Sequence, residues 1–321
     1  MFAERGNPAG EIVNPDWRVF KGHGLGNDYL AVNGAELASD RYPELARLLC
    51  DRNRGVGSDG LLVLTPSRKA DFGVRILNPD GSEAEKSGNG LRVLACYLET
   101  SGKLSGRSSF TVETASGVVQ VEVLEERDFV LEVAVEMGSA SFRPEDVGLA
   151  APWCRLEVGE EVVEFTPISV GNPHCVVFED RLDRSRFLRL APELSTHASF
   201  GNGVNVQFAV AARSKLEAWV WERGAGETLA SGSSACAVAA AAVRRGELAS
   251  GEIEVRMPGG TLLVTVRPDW SLRLRGPVEP VGWFEPAPAL LAPLASGLLA
   301  SGGDQPQGGS AAPTPTPRPA G

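Results

Sequence analysis

One polar frame occurs twice in this chain, in register, and that repetition restricts its folds more than any bulk property does. Asn78-Pro79-Asp80-Gly81-Ser82-Glu83-Ala84-Glu85-Lys86-Ser87-Gly88-Asn89-Gly90 is the first copy, and Glu222-Arg223-Gly224-Ala225-Gly226-Glu227-Thr228-Leu229-Ala230-Ser231-Gly232-Ser233-Ser234 the second. Each runs from the end of a strand-like stretch, through turn residues, to a Ser-Gly step that opens an apolar helix. Asn78 stands nine residues before Ser87, Glu222 nine before Ser231, and the serines are 144 residues apart. Gly171-Asn172-Pro173-His174 follows Gly26-Asn27-Asp28-Tyr29 by 145 residues, and Gly259-Gly260 echoes Ser116-Gly117 between similar strands. Landmarks holding one register over half the chain predict two similar halves, each a strand-rich unit wrapped on one buried helix.

Composition agrees with that size of molecule. A length of 321 residues suits two domains, and 43% apolar residues suits a full soluble core. The net charge of −10 argues against nucleic acid or an anionic membrane as the main partner. Five cysteines without scaffold-like spacing fit a reducing cytoplasm. Residues 1–16 read as a loose lead-in with no apolar signal segment, and the small apolar run 235–243 is too short to span a bilayer.

Along the first half, residues 17–21, 29–33, 61–65 and 72–78 read as strands, and Pro43 opens a short helix ending at Cys50. Residues 90–99 are apolar on nearly every face, which predicts a buried helix stopped at Ser101-Gly102. Residues 110–114, 118–124 and 129–136 alternate as antiparallel strands do, and 137–152 read as a connector. In the second half, 162–170, 204–210 and 216–221 read as strands, and a helix 235–245 ends at Gly246. The predicted core includes Leu91, Leu94, Ala95, Leu98, Ala235, Val238, Ala239 and Ala242. From residue 286 the chain is Pro, Ala, Gly and Ser with few large apolar groups, which predicts a disordered tail.

Two helix starts facing one cleft between duplicated halves present free backbone N–H groups to an anion. Opposed groups on either side of a carbon centre are what inversion of configuration requires, one removing a proton and the other returning one to the opposite face. Each Ser-Gly step alone would also serve as a plain helix cap; two in register beside a repeated polar frame favour a site. His174 either tunes the acid–base pair or is a hydrogen-bonded loop histidine. Glu222-Arg223 is either a strand-end ion pair or, at its fixed distance from Ser231, part of the site. His23, His174 and His197 have no metal-ligand spacing, Arg54-Gly55-Val56-Gly57-Ser58-Asp59-Gly60 lacks the ending of a P-loop, and no nucleophile elbow surrounds Ser231.

Gly22-His23-Gly24-Leu25-Gly26-Asn27-Asp28, the Asn78 frame, Gly88-Asn89-Gly90, Gly171-Asn172-Pro173-His174 and Glu222-Arg223-Gly224-Ala225-Gly226-Glu227-Thr228 together resemble diaminopimelate epimerase, over about residues 17–284. The resemblance implies a cofactor-independent, two-base amino-acid epimerase, usually a homodimer, that converts LL- to meso-diaminopimelate for lysine and cell-wall synthesis. It implies a mixed α/β fold of two pseudo-symmetric halves, each a curved, mostly antiparallel sheet or barrel around a central helix. The halves would be residues 17–133 with about 276–285, and residues 134–275. By the same resemblance Asn27, Asn78, Asn172, Asn205 and Arg223 hold the distal amino-acid end. Glu222 holds the reacting amino group beside His174, and the backbone of Gly88, Asn89, Gly232 and Ser233 holds the reacting carboxylate.

The chain departs from the family where the chemistry is most demanding. The family has cysteine at the positions of Ser87 and Ser231. A thiol ionises near pKa ~8.5, whereas an alcohol lies within a few units of water's ~15.7. At ~1.4 kcal/mol per unit, serine as the base adds roughly 7–10 kcal/mol before compensation, of which Lys86 recovers a part. Gly60, where some members have Gln, and Ser234, where Gly is usual, are milder departures. The serine pair fits a substrate-trapping variant, a natural relative with weakened or one-sided proton chemistry (an epimerase or dehydratase), or an amino-acid binder that no longer turns over. Cys50, Cys96, Cys154, Cys175 and Cys236 rule out a general removal of cysteine.

Overall fold

The computed structural model describes residues 17–37, 40–150, 154–212 and 215–295. The 1–16 lead-in and everything after residue 295 lie outside the described residues.

The first half is a closed barrel. Its strands are β1 (Val19–Gly24), β2 (Asn27–Asn33), β3 (Leu61–Thr65), β4 (Phe72–Leu77) with the short β5 (Glu83–Ala84) on its side, β6 (Ser109–Thr114), β7 (Gly117–Arg127) and β8 (Val130–Ser139). The second half adds β9 (Arg155–Val158) and β10 (Glu161–Glu164) as a separate hairpin. Then come β11 (Thr166–Ser169), β12 (Pro173–Phe178), β13 (Asn205–Ala212), β14 (Lys215–Glu222) flanked by β15 (Gly226–Thr228), β16 (Gly251–Met257), β17 (Gly260–Val266) and the long β18 (Ser271–Phe284). In each half two neighbouring pairs are parallel, β2–β3 and β4–β6 in one, β12–β13 and β14–β16 in the other, and the other pairs are antiparallel. The duplication read from sequence is therefore a duplication of topology.

The last strand of each half crosses the seam. β18 pairs with β17 and β8, then runs on to pair with β1 from His23↔Glu279 to Val19↔Phe284, which closes the first barrel. Just past β8, Ser141 bridges to Ser169 at the end of β11.

One helix fills each barrel, α2 (Gly88–Thr100) in the first and α4 (Gly232–Arg244) in the second. α2 is buried from Gly88 to Leu98, as a helix apolar on all faces must be. α4 achieves the same with alanines, Ala235 to Ala242 being 0% exposed. Every core residue predicted from the sequence is buried. The helix starts abut: a Cβ on Gly232 would stand 3.5 Å from Gly88 Cα and Asn89 N, and a Cβ on either glycine would strike Leu274 Cδ2, at 2.9 Å or less. Glycine at the first position of both helices is what lets the N-termini meet.

Three sequence expectations are corrected, and one helix has no counterpart among them. Residues 162–170 are not one strand: β10 ends at Glu164, buried Phe165 turns the chain, and β11 starts at Thr166. The connector expected at 137–152 is strand to Ser139. Helix α3 (Arg184–Ser195) was not anticipated, although Asp183 caps it and Phe187, Leu190, Ala191 and Leu194 make a buried stripe at helical spacing. The expected disordered tail begins instead with α5 (Pro288–Ala295), whose Leu291 and Leu294 bury against Leu45, Ala46 and Leu49 of α1 (Tyr42–Cys50), while Arg41 donates to Leu294 O at 2.8 Å.

Candidate active site

Both repeated serines are helix N-caps. Ser87, in extended backbone, accepts from Gly90 N at 2.9 Å, and Ser231, in nearly the same conformation, accepts from Ser234 N at 3.4 Å. Capping is not their whole role, because both also line one cavity of about 620 Å³ on the seam between the halves. Twelve of the thirteen residues proposed from sequence line it: Asn27, Asn78, Ser87, Gly88, Asn89, Asn172, Asn205, Glu222, Arg223, Ser231, Gly232 and Ser233. The first-turn N–H groups of α2 and α4 have no partner within their helices, so both positive helix ends face this space.

His174 is the residue left out. It is fully buried behind the wall, its Nε2 2.9 Å from Asn172 Oδ1 and its Nδ1 3.0 Å from Gln207 Nε2. Burial drives its pKa down to about 3, so the ring is neutral, and with Gln207 donating to Nδ1 it donates from Nε2 to Asn172. That bond occupies the Asn172 carbonyl and turns its amide N–H₂ outward. Gln207 also donates to Ser234 Oγ at 3.0 Å, tying this inner layer to the first turn of α4.

A second directed chain sits under α2. The buried guanidinium of Arg92 donates to Asn89 Oδ1. Asn89 Nδ2 donates to Gly24 O at 2.9 Å and Asn27 Oδ1 at 2.7 Å, and Asn27 Nδ2 donates to Asp59 Oδ2 at 2.7 Å. Each amide's orientation is set by its neighbour, from a cation at one end to a carboxylate at the other. Opposite, Asn205 Oδ1 accepts from Arg223 N at 3.0 Å and its Nδ2 donates to Pro173 O at 3.0 Å. The Arg223 guanidinium bonds only backbone carbonyls, Asn202 O at 3.2 Å and Gly203 O at 3.5 Å, and pairs with no carboxylate among the described residues.

Glu222 ends β14 at the cavity wall. Burial pushes its carboxyl above the usual carboxylate range, opposed by the nearby hydroxyls of Thr228 and Ser231, which favour the charged form; Thr228 Oγ1 stands beside it without a full hydrogen bond. Lys86, next to Ser87, lines the cavity, donates to Glu136 O at 3.3 Å and has its pKa lowered by burial.

Tyr29, Asp59 and Thr228 also line the cavity, and the sequence reading assigned none of them a role. The Tyr29 hydroxyl lies 3.1 Å from Ser87 Oγ, its ring packed over Gly60. A second cavity of about 610 Å³ adjoins the first, sharing Asn78, Ala84, Lys86, Asn172, Arg223 and Ser233. Among the described residues no three His, Cys, Asp or Glu side chains could hold a metal ion, and no helix is long and apolar enough to cross a membrane.

Paired barrels, each threaded by a helix whose start opens on a common cleft, define a structural class shared with known isomerases. A hydroxyproline epimerase from Agrobacterium vitis, solved with bound trans-4-hydroxy-L-proline, superposes with a TM-score of 0.65 at 17% identity, covering 84% of this chain and 90% of that one. A phenazine biosynthesis protein of the PhzF family from Bacillus anthracis gives 0.65 at 17% identity, over 84% and 99%. Sequence narrows the class. The family model described as diaminopimelate epimerase matches residues 19–143 and 166–279. Diaminopimelate epimerase 2 of Nostoc sp. is 41% identical over 80% of this chain and 91% of its own, and diaminopimelate epimerase of Desulfitobacterium hafniense 41% over 81% and 94%. The chain belongs to the diaminopimelate epimerase family.

Proposed function

We propose that the chain is an amino-acid epimerase that interconverts LL- and meso-diaminopimelate without a cofactor. The observation that carries this reading is the composition of one cavity: two opposed helix N-termini, and an arginine with no carboxylate partner among the described residues, open onto the same space. The reacting carboxylate sits on the backbone N–H groups of Gly88, Asn89, Gly232 and Ser233, where the two helix ends stabilise the enediolate charge formed on deprotonation. Arg223 takes the distal carboxylate in a bidentate pair, and Asn27, Asn78, Asn172 and Asn205 hold the rest of the distal end. Glu222 receives the reacting amino group, and it is the carboxyl on the Ser231 face, its affinity for a proton raised by burial. His174 acts through Asn172. The two halves would be residues 17–133 with about 276–285, and residues 134–275, in a cytoplasmic homodimer whose mass in solution sedimentation measures.

A binding protein that no longer turns over is the second reading, favoured by the helix-capping bonds that both serine hydroxyls already make. Incubation with LL-diaminopimelate in D₂O decides between them. Epimerisation replaces the α-proton signal and builds up the meso isomer by NMR; tight binding with no exchange leaves only the binder.

A further inference from the structure

Serine hydroxyls are poor proton carriers, so the groups behind them decide what each face can do. On the Ser87 face that group is a phenol. The Tyr29 hydroxyl is 3.1 Å from Ser87 Oγ, which also accepts from Gly90 N at 2.9 Å. The ring reaches this place because residue 60 is glycine: a Cβ there would lie 2.5 Å from Tyr29 Cε1. The corresponding residue of the other half is His174, which is turned away from Ser231 and held by Asn172 and Gln207. A phenol–serine pair thus exists on one face only.

We propose that Tyr29 is the terminal proton donor for the Ser87 face, acting through the Ser87 hydroxyl. This rests on the epimerase reading. The Cα–H bond breaks as its proton passes to the Glu222 carboxylate on the Ser231 face, and the electron pair enters the enediolate. Ser87 O–H then gives its proton to the opposite face of Cα, forming the new C–H bond, while Tyr29 O–H reprotonates Ser87 Oγ. The tyrosinate takes a proton from water and Glu222 returns one to water, so the cycle consumes nothing. A phenol near pKa ~10 is more acidic than an alcohol near water's ~15.7 by almost six orders of magnitude, a margin that burial of Tyr29 narrows without closing. Tyr29 is therefore a donor far more readily than a base, which gives the two faces different roles.

The test is Tyr29→Phe in the full chain, with both diaminopimelate isomers, reading calorimetric binding, inversion and α-proton exchange in D₂O separately. The expected result is unchanged binding, inversion reduced about 100-fold or more, and continued exchange with retention from the isomer whose proton faces Glu222. Gly60→Ala, which pushes into the Tyr29 ring, should reproduce that split between exchange and inversion. Inversion at the wild-type rate in Tyr29→Phe, or exchange and inversion falling together, overturns the proposal while the epimerase reading stands. If the wild-type protein binds diaminopimelate but neither exchanges nor inverts it, the proton-donor role is refuted and a binder remains; absence of binding removes the substrate assignment and this role with it.

Discussion

The two halves share a backbone and differ in what they bring to it. In the first, Tyr29 on β2 reaches the serine that caps α2, and the charged groups nearby are Lys86, Asp59 and, behind the helix, the buried Arg92. In the second, the equivalent histidine points inward, and the group beside the capping serine is the Glu222 carboxyl. The helices differ likewise: α2 fills its barrel with Leu, Val, Tyr and Arg92, α4 with alanine, and Cys236 stands where Arg92 does. Duplication supplied two equivalent helix starts on one cavity; divergence left a phenol beside the serine at one and a carboxyl beside the serine at the other.

The largest expected effect restores equivalence at the reacting carbon. Changing Ser87 and Ser231 together to Cys should raise epimerisation by several orders of magnitude in the NMR assay, because a thiol near pKa ~8.5 serves directly as base or donor where an alcohol near ~15.7 needs Glu222 or Tyr29 behind it. Either change alone should give much less, and the two single gains should be unequal. Brisk turnover by the serine protein, unchanged in the double variant, would mean that other residues face Cα.

Arg223 belongs to the second half alone, its counterpart in the first frame being Pro79. Arg223→Ala should cost about 2–5 kcal/mol of diaminopimelate affinity by calorimetry. A mono-amino acid that binds as well as diaminopimelate would show that the distal carboxylate is not what this guanidinium recognises.

The smallest effect tests His174 as the buried opposite of Tyr29. Its folded pKa of about 3 lies below the 6.5 of a free imidazole, so below pH 6.5 the unfolded chain binds a proton that the native state refuses. Stability is therefore lost as pH falls from 6.5 toward 3, by at most about 1.4 kcal/mol per pH unit from this group. Urea unfolding at pH 7 and pH 5 should differ by up to about 2 kcal/mol from this source. His174→Gln should remove that difference, and an unchanged slope would place the titration elsewhere.

The sequence made the frame legible because register, turn residues and helix starts are local signals. Ser87, Ser231, Asn78, Asn27 and Asn172 stand out by their spacing, while Asn205 enters only through the family resemblance, which also supplies the roles. Tyr29 was not found, because its reach to Ser87 depends on Gly60 lying beside it just before the neighbouring parallel strand β3, a relation no local pattern records. His174 was read as a site residue or a loop histidine, and only the pairing of β12 with β13 sets it against Gln207. α5 was missed because three leucines among prolines and alanines look insufficient until the surface of α1 that receives them is known.

The crossing of β18 has a consequence for how such a chain could arise. Cut between Ser141 and β9, neither piece keeps what completes its own barrel: the first loses the β1 partner supplied by 279–284, and the second loses the bridge from Ser141. Each fragment would expose strand edges ready to capture another chain. Two copies of a half-length ancestor, trading their last strands about a two-fold axis between β8 and β18, would satisfy both edges at once. On that view the present molecule is a strand-swapped dimer joined end to end, and linkage freed its two poles to take different residues.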